Sequence, residues 1–155
     1  MLRAVWSHVM LPRLMAPRDN IGFMKICALV AGFVLSAAFL AAETPVERGK
    51  YLVESAGMCA DCHTPMLNGK PDAARHLKGA TIGFQPIGEV PGWHKASPDI
   101  SSTSTLFQRW GEDGLQKFLQ TGINPRGHGA DPPMPQYRFT AEDAAAIVQY
   151  LKTVK

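Results

Sequence analysis

Three cysteines are all that 155 residues contain, and one of them, Cys27, sits inside an apolar run. Cys59 and Cys62 alone cannot complete a four-ligand zinc site. Long apolar runs are scarce too. The segment Ile26–Leu40 is fifteen residues without a charge, short of what spans a bilayer comfortably. Internal repeats and low-complexity tracts are absent, as is any acid–base dyad or nucleophile elbow that would make the chain an enzyme by itself. Neither sign of charge dominates. The whole chain has 16 basic and 13 acidic residues, but Arg3, Arg13, Arg18, Lys25 and Asp19 all precede residue 43, leaving twelve of each from residue 43 onward. That balance offers no basic face, so no nucleic acid partner is expected.

What is present begins with an export signal. Lys25 stands before the apolar segment and Ala41-Ala42 after it, with Leu40 and Ala42 at the −3 and −1 positions of a cleavage site. Residues 1–42 are therefore expected to be a signal peptide, with Met24 as the true start. The alternative is an uncleaved N-terminal anchor, the one arrangement in which the chain would meet a membrane. Residues 43–155 are expected to form one small domain in the periplasm, with only a modest core of its own.

Cys59-Ala60-Asp61-Cys62-His63 is the strongest chemical signal. C-x-x-C-H is the attachment pattern of a c-type haem: two thiols on one turn add to the vinyl groups, and the next side chain becomes the proximal iron ligand. Zinc and dithiol redox chemistry share the bare C-x-x-C. A zinc site would have to recruit His76, His94 or His128, whose separations of 18 and 34 residues match no compact finger. A thioredoxin-like reading wants a strand before the motif, and the preceding segment is helix-like.

Thr44-Pro45-Val46-Glu47 opens a helix with a capping pattern, and Val46, Gly49, Val53 and Ala56 fall on one face before Gly57 stops it. Gly49 is a poor helix residue unless something approaches its backbone closely. Residues 64–105 are Pro- and Gly-rich, expected as loops with one short helical turn, packing on a large cofactor. A short helix over 112–121 buries Leu115, Phe118 and Leu119 and ends at Gly122, with Trp110 before it as a core anchor or a donor to a haem propionate. Thr140 caps the last helix, whose buried stripe is Ala144, Ile147, Val148, Leu151 and Val154.

An iron confined to carrying electrons needs a second ligand opposite His63. Met58 and Met66 are too near the attachment site to reach around a ring. Met134, in Pro132-Pro133-Met134-Pro135, lies 71 residues beyond His63 on a backbone stiffened by prolines. It is the expected distal ligand, with His128 next and His76, His94 or an open position behind. A thioether donates weakly and raises the reduction potential.

Taken together these residues resemble a class I, monohaem cytochrome c of the bacterial type associated with dehydrogenases. The resemblance implies an all-α cytochrome c fold, three to four helices with long loops wrapped around one covalent haem c. It places Cys59 and Cys62 at the thioethers, His63 and Met134 on the iron, and Gly49 against Tyr150 where first and last helices cross. Trp110 with Gly122 is similar to the family's W…L…TG stretch, and Ser97-Pro98-Asp99-Ile100 to a loop of dehydrogenase-linked members. Residues 69–90 match no pattern, which leaves the carbonyl that would orient His63 unassigned. The implied function is a periplasmic, non-catalytic single-electron carrier in a respiratory chain or accepting electrons from a dehydrogenase. Its partners would be a dehydrogenase, an oxidase or another cytochrome, docking at the haem edge beside the cysteines. The rival is a haem-based sensor with a labile distal ligand, and a permanent subunit of an oxidoreductase complex is a third reading.

Overall fold

The computed structural model describes residues 42–155; the expected signal segment lies, apart from Ala42, outside them. Helix α1, Pro45–Tyr51, starts where Thr44 and Glu47 cap one another: the Glu47 amide donates to Thr44 Oγ1 at 3.2 Å and the Thr44 amide to the Glu47 carboxylate at 2.9 Å. Beyond Tyr51 the backbone widens into a π-helical turn, Leu52–Ala56, closed by the Gly57 amide donating to the Leu52 carbonyl at 2.7 Å. This turn corrects the helical face read from sequence. Gly49 and Val53 are buried and Val46, in the first turn of α1, is exposed; beyond Tyr51 the i→i+5 turn shifts the buried face, so that Leu52 points inward and Ala56 is exposed.

Met58 then takes a left-handed conformation (φ 50°), and the chain turns at once into α2, Cys59–His63. Residues 64–104 hold more order than loops. Strands β1 (Met66–Leu67) and β2 (Lys70–Pro71) form a tight antiparallel hairpin through Asn68-Gly69, both at positive φ. A 3₁₀ turn covers Ala73–Arg75, and β3 (Ala80–Thr81) pairs antiparallel with β4 (Ala96–Ser97).

Helix α3 runs Thr105–Thr121, capped by Ser104, whose Oγ accepts from the Phe107 amide at 3.0 Å. It is two helical pieces, since Gly111 (φ 66°, ψ 178°) breaks the spiral with a conformation that side chains beyond glycine rarely adopt. The sequence pattern began this helix at residue 112. The piece before Gly111 is too short to show a periodicity, so Trp110 ends a helical segment instead of preceding one. Helix α4, Ala141–Leu151, buries Ala144, Ile147, Val148 and Leu151 behind a Thr140 cap.

Helices α1 and α4 cross at Gly49. A Cβ there would lie 1.9 Å from the Ala146 carbonyl oxygen and 2.8 Å from Tyr150 Cβ, so the two backbones touch where only glycine fits. Leu52, Val53, Leu115, Leu119, Ile147, Val148 and Leu151 join into one apolar cluster, with Trp110 packed at its margin. Among the described residues the architecture is all-α, four helices joined by long loops and two minimal ladders. Among the described residues no helix is long and apolar enough to cross a membrane.

Candidate functional site

The motif helix α2 presents Cys59, Cys62 and His63 to an open cavity of about 370 Å³. Its floor is apolar, with Val53, Ile100, Leu106, Trp110, Phe118 and Ile147 contributing, and Met134 borders it as well. Arg109, Arg126, Asn124, His94 and Asp131 are among the polar residues of the lining. His76 and His128, the other imidazoles weighed from the sequence, do not border the cavity.

His63 is the most constrained member. It is 6% exposed, and its Nδ1 donates to the Pro98 carbonyl at 2.8 Å. A carbonyl only accepts, so this bond fixes the proton on Nδ1 and leaves the lone pair on Nε2. Burial lowers the imidazole pKa, against the opposing pull of the Pro98 carbonyl and Asp99, and the ring stays neutral as a metal ligand requires. The surrounding segment is fastened to the same helix. The Gly79 amide donates to the His63 carbonyl at 2.7 Å, Ser97 Oγ donates to the Cys62 carbonyl, and Leu77 N donates to Thr64 Oγ1 at 3.1 Å. Pro98 lies inside the Ser97–Ile100 segment that stood out in the sequence, but a backbone carbonyl 35 residues from its partner has no side-chain signature by which to find it.

Cys59 and Cys62 are both unpaired and half-buried. Burial pushes the Cys59 thiol up to about 11, where it is no thiolate at neutral pH, the opposite of what a dithiol oxidoreductase arranges for its nucleophile. The zinc reading fares no better: among the described residues no group of three His, Cys, Asp or Glu side chains has the arrangement to hold a metal ion. His76 is engaged elsewhere, its Nε2 2.8 Å from Glu54 Oε1, which also accepts from the Tyr150 hydroxyl at 2.7 Å. Two thiols, one neutral imidazole and one thioether around an apolar cavity that two arginines border fit a covalently held haem.

Met134 is half-buried in a loop that spans from Gly122 to the Thr140 cap. Its amide donates to the Asp131 carbonyl at 3.1 Å, and the His94 amide donates to the Pro132 carbonyl at 2.8 Å. Tyr137, three residues on, also borders the cavity. Its hydroxyl donates to the Gly57 carbonyl, and its ring stacks on Phe139 at 4.9 Å between centroids. Burial raises the Tyr137 phenol to about 12, which keeps it a donor. Sequence reasoning missed Tyr137, Arg109 and Arg126. Trp110 lines the cavity and meets Phe118 edge-on at 5.1 Å, while Gly49 and Tyr150 sit at the helix crossing outside the cavity lining.

Comparison with known proteins agrees with this chemistry. A family model described as cytochrome c matches residues 46–155. The gluconate 2-dehydrogenase cytochrome c subunit of Pantoea cypripedii is 32% identical over 121 residues, covering 74% of this chain and 27% of that protein. The cytochrome c subunit of the quinone alcohol dehydrogenase of Gluconobacter oxydans is 33% identical over 115 residues, 70% of this chain and 24% of its own length. The fructose dehydrogenase cytochrome subunit of Gluconobacter japonicus is 28% identical over 148 residues, 88% of this chain and 27% of its own. The chain spans between 9% and 35% of the length of the curated relatives it matches.

Proposed function

The chain belongs to the cytochrome c family, carries covalently bound haem c with its iron and transfers electrons through it, and we propose that it does so as a periplasmic single-electron carrier whose iron is held between His63 and Met134. One observation carries this reading: Cys59, Cys62, His63 and Met134 all border the same apolar cavity. Haem supplies a one-electron iron couple there.

Cys59 and Cys62, on one turn of α2, would hold the group by thioether bonds. His63, neutral and oriented by the Pro98 carbonyl, would ligate through Nε2. Met134 would close the other side with a soft sulfur that favours the reduced iron. Arg109 and Arg126 are the cations of the lining and would meet the carboxylates of the group. The apolar floor excludes water, so a change of charge at the iron meets little solvent rearrangement. Nothing in this reading asks the chain to make or break a bond in a substrate. Residues 1–42 serve as the export signal and 43–155 as the working domain.

Electron exchange is assigned to the rim beside the cysteines. Met58, which borders the cavity next to Cys59, is 58% exposed, and Met66 (60%) and Phe84 (54%) line a shallow groove with Cys62. With balanced charge over residues 43–155, apolar contact there outweighs long-range steering. Dehydrogenase subunits among the relatives favour a dehydrogenase as the electron donor. They equally favour a second reading, a permanent subunit of such a complex, and co-purification with a large dehydrogenase chain would select it.

The test begins with a haem-stained denaturing gel of the exported protein, where a negative stain would sink the attachment. The oxidised protein is then expected to show the far-red absorption band of a thioether on ferric haem, and Met134→Ala is expected to abolish it. A band that survives Met134→Ala, or is missing from the unaltered protein, overturns the His63/Met134 ligand pair and returns the site to the sensor reading.

A further inference from the structure

The hydrogen bonds that leave the Met134 loop are few. At one arm the Ala130 amide donates to the Gly122 carbonyl at 3.1 Å, and at the middle the His94 amide reaches the Pro132 carbonyl at 2.8 Å. The His94–Asp131 pair, at 3.4 Å, joins two side chains that are each 62% exposed, where an ion pair contributes little. On the far arm the Phe139 amide donates to the Leu119 carbonyl at 3.1 Å. Between Pro132 and Phe139 one side chain crosses the cavity wall: Tyr137, donating to the carbonyl of Gly57, two residues before Cys59.

This bond joins the segment bearing Met134 to the segment bearing the two thiols across 80 residues of sequence. The Tyr137 ring is held flat against Phe139, 22° between planes. The Phe139 ring in turn sits against Gly57, where an added Cβ would lie 3.5 Å from Phe139 Cζ. The hydroxyl is therefore aimed, not swinging, and Gly57 is buried where water replaces it poorly. We propose that Tyr137 is the positioning residue that keeps Met134 seated, its hydroxyl acting as a latch between the distal loop and the attachment segment. The proposal rests on Met134 as the distal ligand.

The latch sets the fraction of molecules whose loop is open. An exogenous ligand that needs the open loop binds with an apparent affinity scaled by that fraction. Imidazole, titrated into the oxidised holoprotein and read by loss of the far-red band, measures it. Removing one buried hydrogen bond multiplies the open fraction by about five, so Tyr137→Phe should bind imidazole roughly five-fold more tightly. Tyr150→Phe deletes a phenol bonded to Glu54 at the helix crossing and should lower the unfolding midpoint while leaving imidazole affinity within about two-fold.

An unchanged affinity in Tyr137→Phe overturns the latch, and so does an equal rise in both variants, which would report general softening. A second measurement uses the unaltered holoprotein. The Tyr137 hydroxyl proton should be protected from exchange in nuclear magnetic resonance spectra and lose that protection when imidazole displaces Met134. Retained protection overturns the proposal even if the variant fails to accumulate. Absence of the far-red band from the unaltered protein would remove the ligand pair itself, a failure read before any substitution is made.

Discussion

His63 is 6% exposed and its helix is tied at four points to residues 77–98, through Gly79, Pro98, Ser97 and Leu77. Met134 is half-buried, and its own stretch, Pro132 to Phe139, is tied down at His94, Gly57 and Leu119. One wall of the cavity is thus a motif helix embedded in a stapled loop, the other a proline-stiffened span hung between widely spaced anchors. The first is held at more points over fewer residues. The second hangs on fewer bonds, so the two walls should respond differently to the same kind of damage.

Complete removal of each proposed ligand gives the largest contrast. His63→Ala takes away the group beside both thiols and leaves a hole where the Nδ1 bond oriented the segment, and little haem-bearing protein is expected on a stained gel. Met134→Ala should leave haem covalently attached and the fold intact while the far-red band disappears. If both variants lose haem alike, the asymmetry between the walls is wrong.

Gly49→Ala is expected to strike both walls at once. The new Cβ would stand 1.9 Å from the Ala146 carbonyl oxygen, a backbone atom that cannot swing aside, so α1 and α4 must separate. Overpacking of this kind costs about 3 kcal/mol, the upper end of its usual range. In urea the far-red band and the helical circular dichroism should then fail together at a lower midpoint. Band loss well ahead of helix loss would show that the helix crossing supports the Met134 wall in particular.

Much of this was legible in the sequence because its carriers are local. Cys59–His63 is one turn of helix, the α4 stripe is one periodic run, and the helix-breaking character of Gly49 announces itself inside a capped helix. What escaped depends on partners far apart or on deviations smaller than a period. The Pro98 carbonyl and the Tyr137–Gly57 bond join residues 35 and 80 positions apart through backbone oxygens that carry no composition signal. The π-helical turn at Leu52–Ala56 rotates one face by a single residue, and Gly111 hides the helical piece before it by splitting α3.

The smallest expected effect is also the sharpest probe of the two walls, because it repeats on the His63 side the deletion that Tyr137→Phe makes on the other. Ser97 Oγ donates to the Cys62 carbonyl and accepts from the Ala80 amide at 3.0 Å, pinning the β3–β4 ladder to the motif helix. Ser97→Ala leaves both partners short of a bond in a half-buried place and should cost about 1 kcal/mol of stability, read as a lower urea midpoint of the holoprotein. Imidazole affinity should stay where it was, since the loss falls on the His63 wall and leaves the ties of the Met134 loop intact. Tyr137→Phe should lower the midpoint by a similar amount and raise imidazole affinity as well. Should Ser97→Ala raise imidazole affinity as much as Tyr137→Phe does, the walls are mechanically coupled and the cavity yields as one body.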